Sequence, residues 1–405
     1  MSAARVGLFG LLGSGNLGND GSLEALLGYL RTEHPDAEVD ALCGGPEAVT
    51  ARFGIPATRL HWNRAEYRTA SRVGSVASKG LGKLVDVFRT AAWVRRHDVV
   101  IVPGMGVLEA TLPLRPWGFP YSLFLLCASG RLTRTRIALV SVGAAEIKSR
   151  PTRALVRWSG RLAAYRSYRD GQSRDAMRAM GVDTARDEVY PDLAFSLPAP
   201  ESGAPTGTPG TVCLGVMDFH GGNDDRARAD EIYGRYLDGT ITFVRTLVEE
   251  GRPVRLLTGD TCDEAVVSAI LDAVRSPLVT AARPASLADL MDEMAAADSV
   301  VAVRYHNLIC ALKTGTPVLA LCYAAKSDAL MDRMGLGAYC HPAREVDADR
   351  LLEQFRDLEK HAAELRRTLA ERNRTAVRQL AEQFAALTTT LFPARDHAHA
   401  PRKAS

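Results

Sequence analysis

The chain has 405 residues, too many for one typical hydrophobic core, so two domains are predicted. Hydrophobic residues make up 46% and charged residues 24%, as in an ordinary globular protein, and a net charge of +3 is too small to indicate a nucleic-acid partner. The seven cysteines form no C-x-x-C pair and mostly lie in apolar runs, as with Cys127, Cys310 and Cys322. We interpret them as reduced, buried thiols, neither a disulfide framework nor a zinc site.

The N-terminal sequence and the apolar runs predict a soluble, cytoplasmic protein. The first apolar run is short and is followed at once by glycines, unlike an export signal. The longest apolar stretches, 121–128 and 137–145, are much shorter than the roughly 20 residues that cross a bilayer.

Short Val/Ile/Leu runs alternate with amphipathic segments on both sides of a proline- and glycine-rich stretch. This alternation is typical of βα repeats around a parallel sheet. We therefore predict an α/β fold of two Rossmann-like parallel-sheet domains, 1–197 and 211–345, facing a cleft and joined by a Pro/Gly linker, 198–210. Long C-terminal helices are expected over 346–392 and a disordered tail over 393–405.

The periodicity predicts the following elements in chain order. Strands are expected near 5–12, 38–42, 99–103, 136–142 and 164–169, and in the second half near 211–217, 254–258, 299–303 and 318–322. Helices are expected over 22–33, 153–162 and 173–180, and then over 237–250, 263–275, 287–296 and 307–313.

A glycine-rich loop, GLLGSGNLGND over residues 10–20, follows the first predicted strand. Glycines here would let backbone amides approach a ligand, and the start of the next helix favours an anion. The spacing matches neither a dinucleotide fingerprint nor a P-loop. A tight turn capped by Asp20 or Ser22 explains the loop equally well.

A second loop, with Gly104 and Gly106, follows the predicted strand 99–103. Two such loops at neighbouring strand ends would build one cleft. Close packing of a strand against a helix would explain either glycine as well.

Polar residues follow two further strands of the first half. Arg169 ends the strand 164–169 and is the better candidate for a ligand contact, whereas Asp170 fits a turn and Ser173 a helix cap. Asp192 lies in a turn after a short strand, where structural capping is the favoured interpretation.

The apolar run 299–303 ends in Arg304-Tyr305-His306, and an apolar helix then leads to another buried strand. Arg304 and His306 are therefore predicted at the carboxyl edge of a parallel sheet, where ligands bind in open α/β folds. A guanidinium beside an imidazole suits an anionic substrate that also needs a proton. Tyr305 is expected to pack inward. His220, after the first strand of the second domain, is either a donor-site residue or an exposed loop histidine.

Taken in order, these segments resemble the polysaccharide pyruvyl transferase family over most of the chain. The loop 16–20 is similar to the family's opening Asn-x-Gly-Asp/Asn element, and 103–106 to its second glycine loop. Pro103, Met105 and Asn19 depart from the family pattern, which bears on the acceptor more than on the donor. Further matching segments are Arg169-Asp170 with Ser173 and Gly181-Val182, Pro191-Asp192, Arg304-Tyr305-His306 and Tyr323-Ala324-Ala325-Lys326.

The resemblance implies a GT-B-like fold in which phosphoenolpyruvate binds between the domains. Its pyruvyl group would pass to a sugar of a polysaccharide or glycan precursor as a ketal, with loss of phosphate and without a cofactor or metal. The expected residues are His306 (proton donor), Arg304 and Asp20 (base) for catalysis; Arg169, Lys326, Gly104, Gly106 and His220 for the donor; and Asn16, Gly18 and Asn19 for the acceptor.

Two other functions remain open: a GT-B glycosyltransferase that uses a nucleotide sugar, and a non-catalytic glycan-binding protein of the same fold. The first lacks an obvious acidic residue to hold a ribose in the second domain. The second is disfavoured because Arg304, His306 and Lys326 are all present.

The segment 52–97 is strongly basic, with acidic residues only at Glu66 and Asp86 and with interleaved aromatic residues. It fits a solvated helical face or a weak, salt-sensitive peripheral contact with an anionic membrane. Its basic residues are Arg52, Arg59, Arg64, Arg68, Arg72, Lys79, Lys83, Arg89, Arg95 and Arg96.

Overall fold

The computed structural model describes residues 3–62, 72–109, 116–200 and 207–392. The strands are β1 (Arg5–Gly10), β2 (Glu38–Cys43), β3 (Ala57–Arg59), β4 (Val99–Pro103), β5 (Arg136–Val142), β6 (Tyr165–Tyr168), β7 (Glu188–Val189), β8 (Val212–Gly215), β9 (Val254–Leu257), β10 (Val279–Ala282), β11 (Ser299–Ala302), β12 (Val318–Cys322) and β13 (Cys340–Pro342). The helices are α1 (Leu17–Glu33), α2 (Pro46–Phe53), α3 (Arg72–Val94), α4 (Phe119–Thr133), α5 (Arg150–Leu162), α6 (Gly171–Ala179), α7 (Ala229–Glu249), α8 (Glu264–Val274), α9 (Leu287–Ala295), α10 (Tyr305–Thr314), α11 (Ala325–Met334), α12 (Ala348–Lys360) and α13 (Ala362–Leu391).

The strands form two parallel sheets, in the orders β3-β2-β1-β4-β5-β6-β7 and β10-β9-β8-β11-β12-β13. Helices normally cover both faces of a parallel sheet, so its inner strands are apolar along their whole length. In agreement, every residue of β4 (VVIVP) is buried. The prediction of two parallel-sheet α/β domains is confirmed. All nine predicted strands are present, with ends that shift by at most a few residues.

The four strands that the sequence did not predict, β3, β7, β10 and β13, are the edge strands of the two sheets. They contain two to four residues and are partly exposed, so none has the buried apolar run that marks an inner strand. The helices α2, α4 and α11 were likewise not predicted, and α3 lies in the segment 52–97, for which a helical face was one of two interpretations. Edge position and short length therefore account for the missed strands.

Helix α1 begins at Leu17, five residues before the predicted start, because neither Asp20 nor Ser22 caps it. Asn16 is the cap: its Oδ1 accepts hydrogen bonds from the backbone N–H groups of Gly18 at 3.1 Å and Asn19 at 3.3 Å. Similarly, Asp170 rather than Ser173 caps α6. The glycine-rich loop thus becomes the first turn of a helix that points into the cleft.

The C-terminal helix α13 joins the two halves of the molecule. The Asn373 side chain donates hydrogen bonds to the carbonyls of Leu312 and Lys313 at the end of α10. The ring of Phe384 stacks on that of Tyr29 in α1, with ring centres 4.8 Å apart. The buried Gln383 donates to the first sheet, at Ser141 and Ser167. A helix that follows the second sheet therefore ends against the first.

The predicted linker, 198–210, falls between the two sheets, since β7 ends at Val189 and β8 begins at Val212. Its residues 201–206 and the predicted tail, 393–405, lie outside the described residues. In the described part of the chain, no helix is long and apolar enough to cross a membrane.

Gln383→Ala should lower the free energy of unfolding by about 2–3 kcal/mol, because it removes the hydrogen bonds to Ser141 and Ser167 and leaves buried polar atoms without partners. Urea denaturation measures this loss. Glu382→Ala, at the exposed neighbouring position of α13, is the matched control and should change stability by less than about 0.5 kcal/mol. Equal losses in both variants would contradict the role of Gln383.

Candidate active site at the interdomain cleft

A cavity of about 1430 Å³ lies between the two sheets. The loops after β1 and β4 line one side, and the loops after β8 and β11 line the other. These are the strands at which the order of each sheet reverses, and ligands bind at such switch points because the loops on either side diverge there. The volume exceeds the roughly 300–1000 Å³ of a typical pocket for one ligand. It has room for two substrates.

An ion network crosses the cleft at the bottom of this cavity. Glu109, after β4, accepts hydrogen bonds from the guanidinium of Arg169 and from Lys326 Nζ at 2.7 Å. Lys326 belongs to α11 in the second half, so Glu109 links the two halves. Both cations lie against the ring of Tyr305, at 4.2 Å and 5.4 Å from its centre. Tyr305 is buried, as predicted.

The carboxylate and both cations of the network are charged. Burial disfavours the charge of Glu109, but Arg169 and Lys326 outweigh it and lower the pKa of the carboxyl to about 2. The pKa of Lys326 is raised, since Tyr323 and Glu109 outweigh the effect of burial. Arg169 also faces Asp192, with Nη1 at 3.4 Å from Oδ2. One anionic ligand that replaces Glu109 would meet two fixed cations here.

Arg304 lies at the second-half side of the cavity, where β11 ends. Asp263 holds its guanidinium through two hydrogen bonds, at 2.5 Å to Nε and 2.6 Å to Nη2. Asp263 is itself fixed by the backbone N–H groups of Gly259 and Asp260. The orientation of Arg304 is therefore set before any ligand binds.

His306 approaches the first half closely. A Cβ on Gly18 would lie 1.9 Å from His306 Nδ1, so only glycine fits beside the ring. On its other side, Nε2 is 3.8 Å from Asp192 Oδ2 and has no hydrogen-bond partner among the described residues. Burial lowers the pKa of His306 to about 4; Asp192 opposes the shift, and Arg169 and Lys326 add to it. The imidazole is neutral at pH 7.

The N-terminus of α10 opens onto the cavity beside these residues. No described side chain caps it, so its first backbone N–H groups face the ligand space together with the positive end of the helix dipole. Asn307, in this first turn, is 1% exposed, and both polar atoms of its amide have no partner within the described structure. This amide and the helix end together suit a phosphate or a carboxylate.

Of the residues predicted for the acceptor, all three line the cavity. Asn16 caps α1 and donates from Nδ2 to Asp260 Oδ2 at 3.0 Å across the cleft. Asn19 donates to the carbonyl of Leu11 at 3.3 Å. Gly18 provides the space for His306. They therefore shape the cavity wall, and their contact with an acceptor stays a prediction.

Asp20 and Gly104 do not line the cavity. Asp20 is buried in α1, accepts from the backbone N–H of Gly13 at 2.7 Å and lies 3.8 Å from Arg52. A Cβ on Gly104 would meet Ser22 Oγ at 2.6 Å, so this glycine allows the loop to pack on α1. The catalytic assignment of Asp20 and the donor assignment of Gly104 therefore lack geometric support.

Gly106 and His220 do line the cavity. His220 is partly exposed, stacks on Tyr233 at 4.5 Å and contacts Asp218 at 3.0 Å. Its place at the rim fits the exposed-loop interpretation and leaves it in reach of a bound ligand.

Sequence reasoning missed three residues that organise the site, Glu109, Asp263 and Asn307, and gave Asp192 only a capping role. Asp192 does cap the short helix 193–196, as predicted, but its other oxygen also faces Arg169 and His306. Asn307 directly follows Arg304-Tyr305-His306 and Glu109 lies three residues after the loop 103–106, and this closeness was the available signal. Nothing in the sequence pairs Asp263 with Arg304, 41 residues later.

The cysteines are all free. Cys127 and Cys310 are buried as predicted, whereas Cys262 is exposed. The ligand atoms of Cys322, Asp328 and Cys340 lie within 4.8 Å of one another, on β12, α11 and β13, a grouping of metal-ligating types that their spacing in the sequence did not indicate. The prediction that no zinc site exists stays a prediction.

Solved structures of low sequence identity share this architecture. The putative UDP-N-acetylglucosamine 2-epimerase from Listeria monocytogenes has a TM-score of 0.64 at 12% identity, covering 97% of this chain and 98% of that one. The UDP-GlcNAc 2-epimerase from Neisseria meningitidis bound to UDP-GlcNAc has a TM-score of 0.60 at 10% identity, with coverages of 96% and 100%. MurG from Acinetobacter baumannii has a TM-score of 0.52 at 13% identity, with coverages of 95% and 99%.

The fold and the cleft define a GT-B-like protein. No curated protein matches the sequence. A model of the family described as polysaccharide pyruvyl transferase matches residues 16–324, more than half of the chain. The chain belongs to the polysaccharide pyruvyl transferase family, as the ordered motifs indicated.

Gly18→Ala should abolish activity without unfolding the protein, because the new methyl group would displace the imidazole of His306. Gly28→Ala is the matched control in the same helix, where a Cβ meets no atom within 4 Å. The control should keep full activity and gain about 0.5–1 kcal/mol of stability, since alanine favours helix. Turnover assays and circular dichroism check both variants; a fully active Gly18→Ala protein would contradict the contact.

His306 should make stability depend on pH between about 6.5 and 4. In this window the unfolded chain binds a proton that folded His306 does not, so the free energy of unfolding falls as pH falls, by about 3 kcal/mol in total. His34 and His341 also have pKa values lowered by burial. The readout is therefore the difference between wild type and His306→Asn, measured by urea denaturation at each pH. Parallel curves would refute the lowered pKa.

Proposed function

We propose that the protein transfers the pyruvyl group of phosphoenolpyruvate to a sugar of a polysaccharide or glycan precursor, as a ketal, and releases phosphate. The observation that carries this proposal is the convergence of Arg169, Lys326 and Arg304 around His306 in one cavity. Phosphoenolpyruvate has a phosphate and a carboxylate on one small frame. Several fixed cations next to a neutral imidazole suit such a ligand and its chemistry.

The donor has two anionic groups, and the cavity has two cationic regions to receive them. The uncapped end of α10, with the Asn307 amide and Arg304, forms one region. Arg169 and Lys326 form the other, where Glu109 now occupies the position of an anion. We assign the phosphate to the first region and the carboxylate to the second, because a helix N-terminus favours a phosphate.

His306 would act first as a base and then as an acid. Its neutral imidazole accepts the proton of the first acceptor hydroxyl while that oxygen bonds to C2 of phosphoenolpyruvate. As the C2–oxygen bond forms, the electron pair of the double bond moves to the methylene carbon, and the imidazolium, stabilised by Asp192 at 3.8 Å, gives the same proton to that carbon, which becomes a methyl group. One residue thus serves both transfers, so the mechanism does not need Asp20 as a separate base.

In the second half of the reaction the C2–phosphate bond breaks and a second hydroxyl of the same sugar bonds to C2. The phosphate oxygen takes the electron pair of the broken bond, and the proton of the second hydroxyl leaves with the phosphate. The α10 amides stabilise the charge that develops on this leaving group, and Arg304 binds the phosphate both before and during the reaction. The products are one ketal and one phosphate.

Arg304→Gln should raise KM for phosphoenolpyruvate by about tenfold to a hundredfold with a smaller change in kcat, since it removes a charge from the donor site. Glutamine retains a hydrogen bond to the buried Asp263 and protects the fold. His306→Ala should instead lower kcat by about a hundredfold or more. Phosphate release with a sugar acceptor measures both, and the exposed Arg283→Ala is the control. Mild, equal effects on both constants would remove the two residues from the site.

A nucleotide-sugar donor is the second candidate, because the similar Neisseria meningitidis structure contains UDP-GlcNAc. Incubation with each donor separates the two candidates: phosphate release from phosphoenolpyruvate supports the proposal, and nucleotide release opposes it. An acceptor screen by mass, for the increment of one pyruvyl ketal, then identifies the sugar.

Transfer should need no added divalent metal, since arginine and lysine side chains can neutralise the phosphate. Activity should survive a chelator, and Cys340→Ser, which removes one potential ligand of the Cys322–Asp328–Cys340 group, should behave as wild type. Full dependence on magnesium, abolished by chelator and restored by the metal, would favour a nucleotide donor instead.

A further inference from the structure

Two cysteines lie next to each other on neighbouring strands of the second sheet. Cys322 ends β12 and Cys340 begins β13, and the register of the two strands pairs Cys340 with Ala320. Side chains alternate between the two faces of a strand, so Cys322, two residues after Ala320, lies on the same face as Cys340. Their Sγ atoms lie within 4.8 Å of each other. Thiols that point the same way from adjacent strands can be joined with little backbone movement.

The surroundings of this pair allow it to react. Both residues are partly exposed, whereas four of the other five cysteines, Cys43, Cys127, Cys213 and Cys310, are buried. Strand β13 has only three residues and is the edge strand of its sheet, so it pairs with β12 alone. A short edge strand can therefore shift enough to bring the two sulfur atoms to a bond length of about 2.05 Å.

A metal ion is the other ligand that these thiols could take, because a carboxylate oxygen of Asp328 lies within 4.8 Å of both sulfur atoms. A closed structural zinc site normally has four protein ligands. Within the described residues this group has three, and Asp328 is exposed. The arrangement therefore favours chemistry between the two thiols over a resident metal.

The pair lies directly before a segment of the candidate active site. Cys322 is followed at once by the segment in which Tyr323 and Lys326 line the cavity. Lys326 Nζ lies 2.7 Å from the Glu109 carboxylate, across the cleft. The loop after β13 is tied to the same segment, since Arg344 Nη1 donates to the carbonyl of Tyr323 at 3.1 Å. A shift of the ends of β12 and β13 would therefore move Lys326 relative to Glu109.

We propose that Cys322 and Cys340 form a reversible disulfide on reaction with a low-molecular-weight disulfide, and that this cross-link displaces Lys326 within the cavity. The neighbouring Cys340 thiol, and then burial, raise the pKa of Cys322, so Cys340 reacts first. Its thiolate attacks one sulfur of the oxidant and releases a thiolate, and the sulfur of Cys322 then attacks that of Cys340 and releases a second. The two protein thiols lose two electrons and two protons, and the oxidant becomes two thiols.

Oxidised glutathione, added to the full chain at neutral pH, tests the cross-link without any substrate. Peptide mass mapping after alkylation should find Cys322 joined to Cys340, and an excess of reduced glutathione should reverse the bond. Hydrogen exchange of residues 323–334 should change on oxidation. Cys340→Ser should show neither result. Cys262→Ser, which removes the exposed cysteine outside the pair, is the matched control and should show both.

The effect on transfer rests on the proposed function. The oxidised wild type should release phosphate from phosphoenolpyruvate about tenfold or more slowly than the reduced protein, because a small misplacement in a site can cost about a hundredfold in rate. Cys340→Ser should keep its rate in the presence of the oxidant. A reduced wild type that releases no phosphate would contradict the proposed function, while the mapping and the exchange would still test the disulfide.

Four results would overturn the proposal. The first two are the absence of a bond between Cys322 and Cys340 in the oxidised wild type, and a bond that leaves the exchange of residues 323–334 unchanged. The third is an equal loss of rate in Cys340→Ser, which would assign the inhibition to another thiol. The fourth is zinc that is bound to the wild type and absent from Cys340→Ser, which would assign the pair to a metal.

Discussion

The Glu109 carboxylate, held between Arg169 and Lys326, is the interaction on which the site depends. It brings two cations from different halves of the molecule to one place, where their mutual repulsion would otherwise separate them. Removing water from three charges costs free energy, and the short contacts with the Tyr305 ring offset part of that cost. Glu109 therefore links the two halves of the molecule at the cavity.

Close approach of backbone and side chains is the second constraint. The imidazole of His306 reaches the first half only because Gly18 has no side chain. At the same contact between the halves, Asn16 donates a hydrogen bond to Asp260. Helix α13 adds a link on the far side through Gln383. Together these contacts define one arrangement of the two sheets in which the loops after β1, β4, β8 and β11 meet.

The proposed chemistry follows from the burial of His306 more than from its identity. A solvent-exposed histidine is partly protonated near neutral pH, whereas the pKa of about 4 keeps this imidazole unprotonated and also lowers its basicity. Asp192 lies where it can stabilise the charged form that results. In the proposed mechanism His306 first takes the proton and then returns it, whereas the resemblance implied only a proton donor.

The sequence by itself determined the inner strands, most helices, the order of the motifs and the family. Periodicity and glycine placement are local properties, so they can be recognised without knowing which distant residues pack against a segment. It named Arg304, His306, Arg169 and Lys326 as candidates, and all four line the cavity. Only the tertiary structure decided that Glu109 joins two of them and that Asp263 orients Arg304. It also decided that Asp20 accepts from the Gly13 amide and that Gly104 packs against Ser22. These outcomes depend on contacts between residues far apart in the chain, and no local pattern specifies which distant side chain will be the neighbour.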